Sequence, residues 1–446
     1  MIDSMRCSLS AFCSLVALLI SPILIDAASA QAPVDGIHPS LEYHKRAKEA
    51  ESLSALDTGL FGESVSLYDG STQFRVVDLD LPGNNGLPVQ LARRLTVQLQ
   101  PQGTIRDHDA RLLGFGNWDV EVPYVSATYA TSTGLPPRVC SIGSVPTSGV
   151  FSVREYWSGL NVHLPGRGDT AMLSISAGTP LPTGWAGTRL TTKERDAIDC
   201  IGLGDGSRDG FRLTTVEGMR YYFNQLATRR EAPLHKMVPT SDGNPPASRI
   251  LQRTRYYMLA TKIEDRFGNT VQFAYGADGL PTRIWSSDGR EITFAYTQGR
   301  ISSASANGRT WRFDYSSKFP DVQLTAVARP DGSFWSYAYQ GSLLPSAPTD
   351  EEMLPSLPWC RGAMIPLAAD FLLTATHPGG AVGTFSFSNR RHWRQGVHQS
   401  ECYQKGPSLD PEFVLGVPYY FDVLSIASKS IAGAGLQEMR WSYDFG

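Results

Sequence analysis

Asp265-Arg266-Phe267-Gly268-Asn269-Thr270-Val271-Gln272-Phe273-Ala274-Tyr275 returns, with changes, as Ser286-Ser287-Asp288-Gly289-Arg290-Glu291-Ile292-Thr293-Phe294-Ala295-Tyr296. In both stretches a turn glycine is followed three, five and seven residues later by apolar side chains. The same count from Gly308 reaches Trp311, Phe313 and Tyr315, and from Gly332 it reaches Trp335, Tyr337 and Tyr339. Period two places each set on one face of a strand. The interleaved residues, such as Gln272, Thr293, Arg312 and Ser336, are polar or small and take the other face.

Between these strands come further turn signals. Asp278-Gly279, Asp288-Gly289, Asn307-Gly308 and Asp331-Gly332 are strong hairpin dipeptides, and Gly268, Gly279, Gly289, Gly299 and Gly308 fall at nearly even steps. Evenly spaced turns between short strands predict an antiparallel meander. One hairpin cannot bury an aromatic face alone, so successive units are expected to join into a continuous ribbon. The pattern weakens outward, to Gly218 with Tyr221 and Phe223, Gly380 with Phe385 and Phe387, and Gly435 with Met439, Trp441 and Tyr443.

This run, from Asp265-Arg266-Phe267-Gly268-Asn269 to Phe273-Ala274-Tyr275-Gly276 and again from Asp288-Gly289-Arg290 to Phe294-Ala295-Tyr296, resembles the YD repeats of the RHS proteins. Gly59-Leu60-Phe61-Gly62-Glu63-Ser64 through Phe74-Arg75-Val76, with Leu81-Pro82-Gly83-Asn84-Asn85-Gly86-Leu87-Pro88-Val89, is similar to the segment that precedes the repeats in large bacterial members. The resemblance implies hairpins wound into a hollow β shell, which in toxin systems encloses a C-terminal effector. Here the sequence stops at Trp441-Ser442-Tyr443-Asp444-Phe445-Gly446, inside a strand motif. The expectation is therefore an all-β, antiparallel hairpin ribbon forming an open, curled sheet or partial shell. It is continued or filled by a second polypeptide, or else is a truncated remnant. The autoproteolytic aspartates of some family members belong to a later core, so no catalytic residue carries over.

The rest of the chain fits an exported β protein. It has 446 residues, 41% of them hydrophobic, and a net charge of −3, with 42 Gly and 29 Pro. This is too apolar for disorder and gives no electrostatic footprint for nucleic acid. Ala11 to Ile25 is an apolar run behind Arg6, followed by Ala28-Ser29-Ala30-Gln31, which reads as a signal peptide over 1–30 cleaved after Ala30. An uncleaved anchor is the other reading of that run; no later segment is long and apolar enough to span a membrane as a helix. The expected localisation is secreted, cell-surface or periplasmic. Residues 31–58 read as a linker and a helix over Leu41 to Leu56 with Ser40 as N-cap. An N-terminal β region covers 59–250, the repeats 251–340, a Pro-rich insert 341–376, and weaker β repeats 377–446.

Once Cys7 and Cys13 leave with the signal, Cys140, Cys200, Cys360 and Cys402 remain. Four cysteines allow three pairings; Cys140–Cys200 and Cys360–Cys402 are preferred because each closes a region outside the repeats.

The chemical signals are few. His392, His398 and Cys402 match no common metal spacing. Asp205-Gly206-Ser207-Arg208-Asp209-Gly210 lacks the acidic density of a calcium loop. Arg167-Gly168-Asp169 reads as an ordinary turn. There is no Gly-x-Ser-x-Gly elbow, His-Glu-x-x-His helix or Walker loop. No cofactor or metal is expected, and the chain reads as a scaffold and not an enzyme. Two alternatives stay open: a glycan-binding surface protein with Trp285 as its platform, since Trp285 falls outside the packed set, and a hydrolase with an unrecognised carboxylate pair.

Overall fold

The computed structural model describes residues 59–97 except 68–69, then 111–141, 148–238, 247–317, 322–341, 343, 370–393, 403–405, 414–416 and 420–445; within these, 152, 177, 184, 186 and 204–207 are not described. The signal segment, the helix read at Leu41 to Leu56, Asp205, His398, Cys360 and Cys402 lie outside the described residues. So do the side chain of His392 and most of the insert.

The chain is all-β and antiparallel. It begins with a five-stranded sheet: β1 (Glu63–Val65), β2 (Thr72–Asp80), β3 (Gln90–Val97), β4 (Leu113–Phe115) and β5 (Trp118–Val120), ordered β1-β2-β3-β5-β4. Phe74 and Val76 alternate with half-exposed Gln73 and Arg75 along β2. The register of β2 on β3 then shifts between Val77 and Leu79. That bulge makes Asp78 the extra residue, and its side chain is buried.

Next come β6 (Tyr124–Ala130), a single helical turn α1 (Val153–Tyr156), β7 (Asn161–Leu164), β8 (Gly168–Ala171), β9 (Leu173–Ser174), β10 (Leu190–Thr191), β11 (Ala197–Gly202), β12 (Asp209–Thr214), β13 (Arg220–Val238) and β14 (Ala247–Glu264). Only Met172 separates β8 from β9, and its amide donates to the Leu160 carbonyl. From β9 each strand pairs with the next up to β14, and β14 also pairs with β6 through Arg253 to Leu259. These pairings form a small circuit around a core that includes Val125, Val162, Ile198, Leu213 and Phe223. Cys140 and Cys200 are disulfide-bonded with Cα atoms 5.5 Å apart, as the sequence suggested, and tie the segment after β6 to β11.

The end of β14 starts the ribbon. It runs through β15 (Thr270–Tyr275), β16 (Pro281–Ser286), β17 (Glu291–Thr297), β18 (Arg300–Ala306), β19 (Arg309–Tyr315), β20 (Leu324–Ala328), β21 (Phe334–Gln340), β22 (Phe371–Thr376) and β23 (Val382–Trp393). A two-stranded piece, β24 (Tyr403–Lys405) with β25 (Val414–Gly416), precedes β26 (Tyr420–Gly433) and β27 (Leu436–Ser442). Each ribbon strand pairs with its predecessor, and β26 with β23. The ribbon is an open, curled sheet. Its turns use the expected glycines; Gly289, for example, has φ +88°, a conformation that favours a residue without Cβ. Among the described residues no helix is long and apolar enough to cross a membrane.

What covers the aromatic face was not expected. The five-stranded sheet β1–β5 lies against it and shares one core with the ribbon. Phe74 meets Phe385 edge-on with ring centroids 4.8 Å apart, and Phe115 meets Phe313 at 4.7 Å. The chain therefore fills the concave side of its own ribbon.

Candidate functional site

The motif aromatics are packing residues. Val271, Ile292, Trp311, Phe313, Trp335 and Tyr337 are buried, as is Phe273. Phe294, Tyr275, Tyr296, Tyr315 and Tyr339 are partly buried against the same core.

The third aromatic of each set does more than pack. The strand opposite Tyr275, Tyr296 and Tyr315 carries one extra residue at that point, respectively Thr282, Ser302 and Thr325. The tyrosine of the next set then donates its hydroxyl to the carbonyl just before that extra residue. Tyr296 donates to Pro281, Tyr315 to Ile301, and Tyr339 to Leu324. Tyr275 begins the series by donating to Ala260. Ser302 and Thr325 donate back to the carbonyls of Ala295 and Asp314. Each bulge thus has its carbonyl satisfied by the following hairpin. Burial pushes the hydroxyl pKa of Tyr275, Tyr296 and Tyr315 up, so these groups remain donors at ordinary pH.

Two buried polar clusters join the N-terminal sheet to its surroundings. In the first, Arg93 donates to both carboxylate oxygens of Asp78, at 2.7 and 3.2 Å, and to the Tyr337 hydroxyl at 2.6 Å. Its guanidinium also lies over the rings of Trp118 and Tyr337. Burial opposes the Arg93 charge, but Asp78 and Tyr337 outweigh it and raise its pKa above the ordinary value. Trp118 donates to the Tyr339 hydroxyl, which extends the contact into the bulge series. In the second cluster Arg94 approaches His163 Nδ1 at 3.1 Å and donates to Tyr124. Asp169 lies 3.3 Å from His163 Nδ1 and Glu121 lies 3.8 Å from Nε2. Tyr124 is stacked on the imidazole, and burial together with Asp169 pushes its hydroxyl up to about 12.

Both clusters hold structure together. Their arginines are enclosed by side chains from separate elements and hydrogen-bonded to them, although Arg93 Nη1 and Arg94 Nε are left without a partner among the described residues. A third ion pair has the same character: Lys429 of β26 meets Glu63 of β1 at 2.5 Å, with both side chains buried.

The residues singled out in the sequence are scattered. Trp285 is half-buried on the outer face, and the Arg283 guanidinium sits 4.6 Å from its ring centre while pairing with Glu291. Arg167 ends the turn between β7 and β8 and is held by Asp196, while Gly168 and Asp169 open β8, with Asp169 beside His163. Asp209 accepts from the amide and hydroxyl of Ser141. Among the described residues no group of three His, Cys, Asp or Glu side chains could hold a metal.

The last described strand of the ribbon is β27. The registers of the described strands pair it with β26, and Gln437, Glu438, Met439, Arg440 and Ser442 are exposed. An edge of this kind offers unpaired backbone groups to another strand.

No protein-family model matches the chain, and no curated protein sequence matches it. Solved structures with some likeness include the TcdB2-TccC3 crystal structure, at 10% identity and a TM-score of 0.34, over 78% of this chain and 20% of that one. The chain thus spans about one fifth of that protein's length. Another is the N-terminal domain of the effector protein SpvB from Salmonella typhimurium strain LT2, at 10% identity and a TM-score of 0.21, over 83% of this chain and 100% of that one.

Proposed function

We propose that the protein is an exported scaffold of RHS/YD-repeat type that joins a partner polypeptide by strand addition at β27. The observation carrying this reading is the exposed edge of β27 on a ribbon whose aromatic face is already filled by β1–β5. A partner therefore reaches the sheet edge and not the concave side. The Cys140–Cys200 disulfide supports an oxidising compartment, and the segment ending at Ala30 supplies the route. Arg283 lying over the Trp285 ring weighs against Trp285 as a glycan platform.

The test is purification of the tagged protein from its host beside an Arg440→Pro variant. Proline at an edge position removes a donor that faces outward and leaves the β26 ladder intact. A stoichiometric polypeptide that accompanies the native chain and is lost with the variant supports the reading. A chain recovered as a monomer without a companion, or a companion indifferent to the substitution, overturns it; a second copy of the chain counts as a companion. An intact mass beginning at Gln31 in the exported fraction tests the route.

A further inference from the structure

The edge of β27 is complementary to itself. The Tyr443 amide donates to the Ala427 carbonyl, and the register continues through Trp441 opposite Lys429 and Met439 opposite Ile431. Bonded pairs alternate along an antiparallel ladder, so these odd-numbered residues turn their backbone groups toward β26. Arg440 and Ser442 turn theirs to the open edge, as does the Glu438 carbonyl, which lies anti to the Met439 amide; the register on β26 shifts just beyond Met439, between Ile431 and Gly433. The side chains divide as well. Met439 and Trp441 share the face of Ile431 and the core, while Glu438 and Arg440 lie on the outer face and pair with each other at 2.9 Å.

We infer that β27 pairs with β27 of a second copy of this chain, antiparallel, about a two-fold axis through Met439. This rests on the edge of β27 being the joining site, and it names the partner. In that register Glu438 lies opposite the partner's Arg440, and Arg440 opposite the partner's Glu438, both as hydrogen-bonded pairs. Met439 meets the partner's Met439 as a non-bonded pair, where side chains approach most closely. Met439 is 41% exposed in the single chain, so the pairing covers an apolar side chain as it satisfies the backbone. Moving the axis by one residue sets Glu438 against itself or Arg440 against itself, and like charges directly opposite are unfavourable. The contact is isologous, so it closes as a dimer and does not propagate into fibres.

The experiment is sedimentation equilibrium of the full mature chain over a range of concentrations, with Glu438→Arg, Arg440→Glu and their equimolar mixture. The native chain is expected to be a dimer. Each single variant places like charges across the axis twice and should dissociate at least tenfold more readily. The mixture should recover a heterodimer, because one chain then carries Arg at both positions and the other Glu at both. A native dimer indifferent to both variants overturns the assigned register, and failure of the mixture to re-associate overturns the charge pairing. A native chain that stays monomeric overturns the second copy as partner. In that case a host polypeptide lost with Arg440→Pro leaves the joining edge standing, while one retained removes the edge as well.

Discussion

Arg290, in the turn between β16 and β17, donates to the main-chain carbonyls of Leu81 and Leu87, at 2.9 and 3.1 Å, although more than two hundred residues separate them in sequence. It also donates to the Asn85 side chain, whose amide donates to Asp288. One repeat turn thus clasps the loop between β2 and β3. Gly83 leaves room for it there, since a Cβ would lie 2.3 Å from the Arg290 guanidinium and displace it.

Arg290→Ala should therefore loosen the loop over residues 81–88 specifically. Two carbonyls and the Asn85 oxygen lose a charged donor, which costs about 1–3 kcal/mol. Thermal unfolding should show a lower midpoint, and amide exchange should rise first at Leu81 and Leu87. Gly83→Ala should have the same local signature, because the guanidinium must move aside. Equal exchange at the loop in native and variant chains would separate the clasp from stability.

The same clasp is sensitive to acid. Arg290, and then the Ser286 hydroxyl, hold the Asp288 carboxyl well below the usual carboxylate range. A depressed folded-state pKa means the contribution is fully present above the unfolded value of about 3.9 and is lost as pH falls below it. Protection of the loop amides should decline from about pH 4 downward in the native chain. In Asp288→Asn the loop should lack that acid step, which exchange measured between pH 3 and 6 would detect.

How much of this was readable depends on the range of the cause. The turns at Gly268, Gly289 and Gly308 and the period-two aromatics are local, so they could be read directly and led to the ribbon. A Cys140–Cys200 bond is likewise suggested by sequence position, since it closes a region outside the repeats. The cover over the aromatic face was not readable, because its determinants are remote pairs such as Asn85 with Asp288 and Arg93 with Tyr337. Periodicity says that a face is buried, but not by what. The phase of Trp285 sets it apart from the packed aromatics, but the Arg283 side chain over its ring depends on packing between neighbouring strands. The edge pattern of Glu438, Met439 and Arg440 was present in the sequence, but it acquires meaning only once β26 is known to cover the other side.

Arg93 gives a sharper energetic test. Arg93→Met leaves the Asp78 carboxylate enclosed without its cation and should cost about 3–5 kcal/mol. Asp78→Leu combined with Arg93→Met should recover most of that loss, since apolar groups can replace a buried ion pair. Denaturant unfolding of the single and double variants would show this. A double variant as unstable as the single one would mean that the contacts with Trp118 and Tyr337 carry the effect.

The tyrosine series makes a distributed prediction. Tyr296→Phe, Tyr315→Phe and Tyr339→Phe each remove one donor and leave the ring in place, so each should cost about 1 kcal/mol. Tyr339→Phe should cost more than the other two, because its hydroxyl also accepts from Trp118 at 2.8 Å. Unfolding midpoints of the three variants under one set of conditions would test the ranking. Similar losses at all three would place the weight on the bulge carbonyls alone.

The disulfide should act on a different part of the chain. Cys140 and Cys200 are 60 residues apart, a loop for which removal of the bond costs roughly 4 kcal/mol on the chain-entropy model. Cys140 lies in the segment that places Leu135 and Val139 on the second core, apart from the core shared by the ribbon and β1–β5. Reduction, or the paired Cys140→Ser and Cys200→Ser substitutions, should therefore raise exchange within 131–141 and β11 well before the ribbon strands β15–β21 respond. If the ribbon loses protection at the same point, the two cores unfold as one cooperative unit, and the cost of breaking the bond should then appear in the stability of the whole chain.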